Sequence, residues 1–172
     1  MREIKLWKNR KELSDKVALV DDEDYSRVME AISNRAKWYA LFSPAAKKYY
    51  ATNGSRRIQI HRVVMNAPKG MDVDHVNGDP LDNRKKNLRI CTRSENCRNK
   101  KVRSDSRSGY KGVEMRSSSR FRAYIGNPNQ KSRNMYLGTY DTPEEAARVY
   151  DKRAIELHGE FALLNFPEDK TK

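Results

Sequence analysis

Three side chains in the middle of this sequence, Asp74, His75 and Asn96, are of types that together can bind a cation and move a proton. They lie in a segment, residues 71–99, that reads MDVDHVNGDPLDNRKKNLRICTRSENCRN. A carboxylate from Asp74 and an amide oxygen from Asn96 are hard donors suited to Mg2+ or Mn2+, which keeps positions open for water and phosphate. The imidazole of His75 can deprotonate a water for attack on phosphorus. The cation would stabilise charge building on the leaving oxygen. Arg89, Arg93 and Arg98 could hold a phosphodiester backbone in place. The chemistry these parts fit is metal-assisted hydrolysis of nucleic acid.

Such groups must be brought together by local structure. Met71 to His75 reads as a strand, followed by a loop rich in Asn, Gly, Asp and Pro and a second short strand, Leu88 to Ile90. Thr92 and Glu95 form a capping box, each able to satisfy a backbone N–H, so a helix opens there with Asn96 in its first turn. The expected unit is a β-hairpin crossed by a helix, with Asp74, His75 and Asn96 converging between them. His75 is expected on the strand face opposite Val73. Asp79 and Asp82 read as turn formers rather than metal ligands, and Asn87 as an amide that bonds loop backbone. His61 could be no more than a surface or half-buried histidine. Cys91 and Cys97 read as small packing residues; two cysteines cannot build a four-cysteine zinc, so no structural zinc is expected.

The same segment closely resembles HNH endonucleases, in particular the phage and intron-encoded group whose last His is replaced by Asn. The resemblance runs over about His61 to Lys101, through Asp74-His75, Gly78, Asp82-Asn83-Arg84, Asn87-Leu88-Arg89 and Ser94-Glu95-Asn96. His61-Arg62-Val63-Val64 matches the stretch that commonly precedes that motif. The resemblance implies a ββα-metal (His-Me finger) core in which His75 is the general base and Asp74 and Asn96 hold the divalent cation. Asn87 then pins the loop so that His75 is oriented.

Charge supports a polyanionic partner. The chain carries 36 Lys and Arg against 23 Asp and Glu, a net +13, with 37% hydrophobic and 34% charged residues and a pI near 9.8. Residues 1–54 contribute +3, residues 55–104 +8 and residues 105–172 +2. Nucleic acid is the first partner such a field implies, an anionic membrane the second. The central surplus makes Arg56, Arg57, Arg62, Lys100 and Lys101 candidate DNA contacts alongside Arg89, Arg93 and Arg98. No apolar run approaches the roughly 20 residues of a membrane span, and the charged start Met1-Arg-Glu-Ile-Lys5 has no apolar stretch after it. A cytoplasmic protein of a bacterial or phage-infected cell is expected. The length allows one or two small domains.

Earlier in the chain, Val17 to Val20 is a short apolar run. The acids Asp21 to Asp24 sit where a helix start favours them, ahead of Tyr25, Val28, Met29 and Ile32; a metal site is the alternative. Trp38 to Phe42 and Tyr49 to Ala51 read as strands around a turn at Ser43-Pro44. Asn53-Gly54 then leads into a strand at Arg57 to Ile60. Residues 100–108 read as a basic linker, with an ordinary surface loop as the alternative. It divides a nuclease domain at 1–99, with its core at about 57–101, from a module at 109–167.

The module shows three alternating strands, Gly109 to Arg116, Arg120 to Ile125 and Arg133 to Tyr140. One face presents Glu114, Arg116, Arg122, Tyr124, Asn134 and Tyr136; the other presents Val113, Met115, Ala123, Ile125, Met135 and Leu137. Thr142-Pro-Glu-Glu145 is a capping box, Gly159 the helix stop, and Ala147, Tyr150, Ala154 and Leu157 an apolar stripe. Gly109 to Tyr140 carries +5 and the remainder −3, so the sheet is the expected surface for double-stranded DNA. Ser108 to Pro167 resembles the plant ethylene-response-factor (Apetala-type) DNA-binding domain through Gly-Tyr-Lys-Gly-Val, Tyr136-Leu-Gly-Thr-Tyr140 and Thr-Pro-Glu-Glu-Ala-Ala147. That resemblance implies DNA contacts from Lys111, Arg116, Arg120, Tyr136, Tyr124, Asn134 and Thr139. Two departures stand out: Glu114 replaces an Arg and Ser118 a Trp, which implies a different target.

The expected whole is an α+β protein: a mixed β-rich region with a ββα core, then a three-stranded antiparallel sheet on one helix. Its expected activity is that of a phage or homing DNA endonuclease, nicking as a monomer, with a dimer as the alternative. A non-catalytic DNA-binding transcriptional regulator with a decayed nuclease core is the competing reading, and an RNA-binding protein a weaker third.

Overall fold

The computed structural model describes residues 1–32, 36–54, 58–98, 106–117, 119–126 and 134–167. They fall into two compact units, Met1–Asn96 and Cys97–Lys172. Arg56, Arg57, Lys100 and Lys101 lie outside the described residues, as do positions 100–105 of the expected linker. Among the described residues no helix is long and apolar enough to cross a membrane.

In the first unit, β1 (Arg2–Trp7) and β2 (Leu13–Val20) form an antiparallel pair. Ile4 and Leu6 alternate with the charged Glu3 and Lys5, and that period of two sends the apolar pair into the core. The sequence reading had not assigned β1. β3 (Tyr39–Ser43), β4 (Lys48–Asn53) and β5 (Ile58–Gln59) complete a sheet ordered β2-β1-β3-β4-β5. α1 (Asp22–Glu30) begins on the acid run, with Asp22, Glu23 and Asp24 in its first turn. Asp24 turns inward to pair with Arg27, whose Nη2 also donates to the Val64 carbonyl at 2.6 Å. That bond reaches α2 (Ile60–Met65). The expected strand at Arg57 to Ile60 stops short: Ile60 opens α2 because Ile60 and Val64, one helical turn apart, both enter the core.

β6 (Asp72–His75) and β7 (Leu88–Cys91) form the expected antiparallel hairpin, with Asp74 opposite Arg89 and His75 opposite Leu88. α3 (Arg93–Arg98) follows. Strand alternation places Val73 and His75 on one face and Asp72 and Asp74 on the other. His75 therefore shares the face of Val73, correcting the expectation that it opposes it; residues two apart cannot do so in a regular strand. The loop between the two strands is not free-standing. Leu19 N–H donates to the Leu81 carbonyl and Asn83 N–H to the Leu19 carbonyl, both at 2.8 Å. These bonds dock the loop on β2, the sheet's outer strand, and satisfy edge groups that would otherwise be open.

The second unit is the expected three-stranded antiparallel sheet, β8 (Val113–Ser117), β9 (Arg120–Gly126) and β10 (Asn134–Tyr140), in the order β10-β9-β8. It packs on α4 (Pro143–His158). The capping box is formed: Thr142 Oγ1 accepts from Glu145 N–H, and the Glu145 carboxylate accepts from Thr142 N–H. Gly159 ends the helix at a φ of 51°. Ala147, Tyr150 and Ala154 are buried against the sheet, joined by Ala146. Asp151, on the same buried side, accepts from the main-chain N–H of Asn165 and Phe166 at 2.9 and 2.8 Å, tying the segment after α4 back to it. Cys91 is buried, as a packing residue would be; Cys97 is exposed, which corrects the same expectation for it.

Candidate functional site

Asp74 and His75 end β6, and the loop beyond them is built by the side chains that the sequence marks as turn formers. Asn77 Oδ1 accepts from Asp79 N–H at 2.8 Å and Asp79 Oδ1 from Leu81 N–H at 3.0 Å. Gly78, at a φ of 73°, returns its N–H to the His75 carbonyl at 2.8 Å. Asp82 pairs with Arg84, whose guanidinium holds the carboxyl below its usual range. Asn87 closes the loop: its Oδ1 accepts from Asn77 N–H at 2.9 Å and its Nδ2 donates to the Asp82 carbonyl at 2.7 Å. It thus holds the two sides of the loop together just beyond His75.

The imidazole of His75 is buried, with Nε2 3.4 Å from Asn83 Oδ1. Asn83 is itself fully buried and its Nδ2 donates to the Leu81 carbonyl at 2.9 Å, which turns its oxygen toward the ring. An oxygen there accepts from a protonated Nε2 and makes Nδ1 the basic nitrogen. Burial lowers the pKa of His75, outweighing the hydrogen bond to Asn83 and the nearby carboxylates, and so favours the neutral ring. His61 stands edge-on to it, ring centres 5.0 Å apart. Burial, with His75 and Arg62 nearby, takes the pKa of His61 down to about 3, and its Nδ1 has no partner among the described residues.

On the other face of β6, Asp74 Oδ2 accepts from Arg89 Nε at 2.9 Å and Nη2 at 2.7 Å. Asn96 is brought to this face by α3, where its Nδ2 donates to Asp72 Oδ2 at 2.9 Å. Asp72 also faces Arg93 Nη1 at 3.5 Å. Thr92 and Glu95 form the box that starts α3, with Glu95 N–H donating to Thr92 Oγ1 and Thr92 N–H to Glu95 Oε2. Asn96 thus bonds Asp72, Asp74 bonds Arg89, and His75 on the opposite strand face meets Asn83, which corrects the expectation that Asp74, His75 and Asn96 converge. The sequence reading missed Asp72 and gave Asn83 no task. The Asp72-Val-Asp74 alternation signals the first; the second needed the folded loop.

No group of three or more His, Cys, Asp and Glu stands together among the described residues. A cation here would draw on Asp74 and the side-chain oxygen of Asn96, whose nitrogen is occupied by Asp72. This all-oxygen set fits Mg2+ or Mn2+ with water and phosphate completing the shell. Arg89 competes for the same carboxylate.

The candidate basic side chains divide by placement. Arg62 is committed to a turn, donating to the carbonyls of Met71, Ala67 and Pro68 at 2.7, 3.1 and 2.9 Å. Arg93 is exposed. Lys111 is half-buried; its ammonium donates to the Arg98 main-chain carbonyl within the same unit, and burial brings its pKa down to about 8. On the sheet, Glu114 faces Arg122 across β8 and β9, and Tyr124 faces Tyr136 across β9 and β10. A bulge in β10 brings Thr139 opposite Arg122. Arg122 Nη1 donates to Tyr124 Oη at 3.3 Å, the Tyr124 and Tyr136 rings lie 5.7 Å apart, and Tyr136 Oη is 2.8 Å from Thr139 Oγ1. Arg116, Asn134 and Arg120 are exposed, the last paired with Asp141 at 2.9 Å.

Two family models match separate stretches of the chain. Residues 60–98 match the HNH endonuclease model and residues 108–160 the AP2 domain model. Among curated relatives, the ethylene-responsive transcription factor ERF010 of Arabidopsis thaliana is 51% identical over 59 residues, 34% of this chain and 32% of that protein. Ethylene-responsive transcription factor 1 of Solanum lycopersicum is 45% identical over 58 residues, 34% of this chain and 24% of its own length. Dehydration-responsive element-binding protein 2D of Arabidopsis thaliana is 48% identical over 59 residues, 34% and 28%. The chain spans about a third or less of the length of these relatives, and they support the AP2 part.

Proposed function

We propose that this protein is a metal-dependent DNA endonuclease of the phage or homing type. The second-unit sheet anchors it on double-stranded DNA, and the β6–β7 hairpin with α3 cuts one strand. The observation that carries the reading is His75. It is a buried imidazole with Asn83 on its Nε2, at the end of β6 on the strand face opposite Asp74, just ahead of a loop that Asn87 locks. A neutral ring with Nδ1 as its base can take a proton from water. Asp74 and Asn96 would hold the cation, which supplies charge stabilisation at the leaving oxygen. Arg93, exposed beside the hairpin, is available to a phosphate.

The relatives named above are called transcription factors and element-binding proteins, which favours a second reading, a DNA-binding regulator whose hairpin no longer cuts. Supercoiled plasmid incubated with Mg2+ or Mn2+ separates the two. The nuclease yields relaxed circles, and His75→Ala lowers that rate by about 100-fold or more with DNA affinity unchanged. Absence of product with either metal establishes the regulator instead.

A further inference from the structure

The outward face of the β8–β9–β10 sheet is basic and aromatic, yet one acid sits within it. Glu114 is the sole acidic residue in the three strands. It is exposed, directly opposite Arg122 and in the same cross-strand row as Thr139. A cross-strand ion pair would account for it, but Arg122 turns its guanidinium to the Tyr124 hydroxyl. Among the described residues the Glu114 carboxylate makes no hydrogen bond; its charge acts on Arg122 opposite, helping to raise the pKa of that guanidinium. A carboxylate on a face that approaches phosphates costs non-specific affinity, a cost that a specific contact with a base would offset.

We propose that Glu114 is a base-reading residue whose carboxylate accepts a hydrogen bond from the exocyclic amino group of cytosine in the major groove. This rests on the reading of the sheet as the DNA-binding face. The base edges decide for cytosine. Guanine presents two acceptors there, thymine an acceptor and a methyl group, and adenine a donor flanked by the N7 acceptor, which repels a carboxylate. Cytosine alone offers an amino donor without an adjacent acceptor on its own edge. Arg122 directly opposite, with Arg116 and Arg120 elsewhere on the same sheet, supplies positive charge that offsets repulsion of Glu114 from the backbone.

The test is selection from random duplex DNA by the full chain in EDTA, so that nothing is cut, with wild type, Glu114→Gln and Glu114→Ala in parallel. Wild type enriches a site with one fixed cytosine. Glu114→Gln changes that base to adenine, whose N6 and N7 an amide can pair with. Glu114→Ala relaxes the position by about tenfold, while the remaining bases and the salt dependence hold. The side chain is exposed, so both variants keep the wild-type unfolding temperature. Identical sites from all three proteins overturn the assignment of Glu114 while leaving the DNA-binding face intact. A wild type that enriches no sequence overturns the DNA-reading face itself, and this proposal with it.

Discussion

His61 and His75 show how much a single buried ring can be asked to do. Each is pushed toward its neutral form for the same reason, removal from water, but only His75 meets an acceptor in the loop beyond it, Asn83 Oδ1. His61 carries its cost in stability. In the unfolded chain its pKa is near 6.5 and in the fold about 3. Above pH 6.5 both states are neutral and the group contributes nothing to the pH dependence. As pH falls below 6.5 the unfolded chain takes up a proton that the fold refuses, and stability is lost until about pH 3. The loss is at most about 5 kcal/mol. His61→Phe removes this contribution while keeping an aromatic edge toward His75. Its unfolding temperature should fall less than that of wild type between pH 7 and pH 5; parallel curves would mean that His61 takes no part in the acid sensitivity.

At the scale of elements, the regular patterns were legible in the sequence and the cross-chain commitments were not. Alternation announced β8, β9 and β10, a turn-rich loop between two short runs announced β6 and β7, and the capping boxes announced α3 and α4, because each signal is written within a few residues. Asn83 could not be read in this way. Its N–H binds Leu19 and its oxygen faces His75, both choices made by docking the loop on β2. Likewise, Asp74 was legible as a ligand type, but its pairing with Arg89 follows from hairpin register. Gly112 is an element-scale case in which the fold demands one residue. It sits at a φ of 73°, and an added Cβ would lie 2.0 Å from the Tyr150 ring and 2.6 Å from the Tyr124 carbonyl oxygen. Gly112→Ala therefore forces β8 away from α4 and strains the backbone as well. A loss of about 3 kcal/mol is expected, measured by denaturant unfolding of the full chain. A change under about 0.5 kcal/mol would mean that β8 packs only loosely on α4.

For the whole molecule, the charge is divided between two compact units, and that division makes a prediction about salt. The first unit holds its own core, Ile4, Leu6, Val20, Val28, Ile60, Val64 and Leu88 among others, and no residue of that core comes from beyond Asn96. Removing residues 109–172 should therefore leave the hairpin, its loop and α3 able to cut, but without the Arg116, Arg120 and Arg122 sheet. Each phosphate that the protein no longer neutralises takes nearly one unit from the slope of log affinity against log salt. The truncated chain should bind a long duplex with a slope shallower by about 2 to 3 and nick plasmid at many positions rather than one. Substituting the three arginines by alanine in the full chain should reproduce the shallower slope. If the truncated protein nicks the same position as the full chain with unchanged salt dependence, site choice resides in the first unit and the sheet is not the anchor.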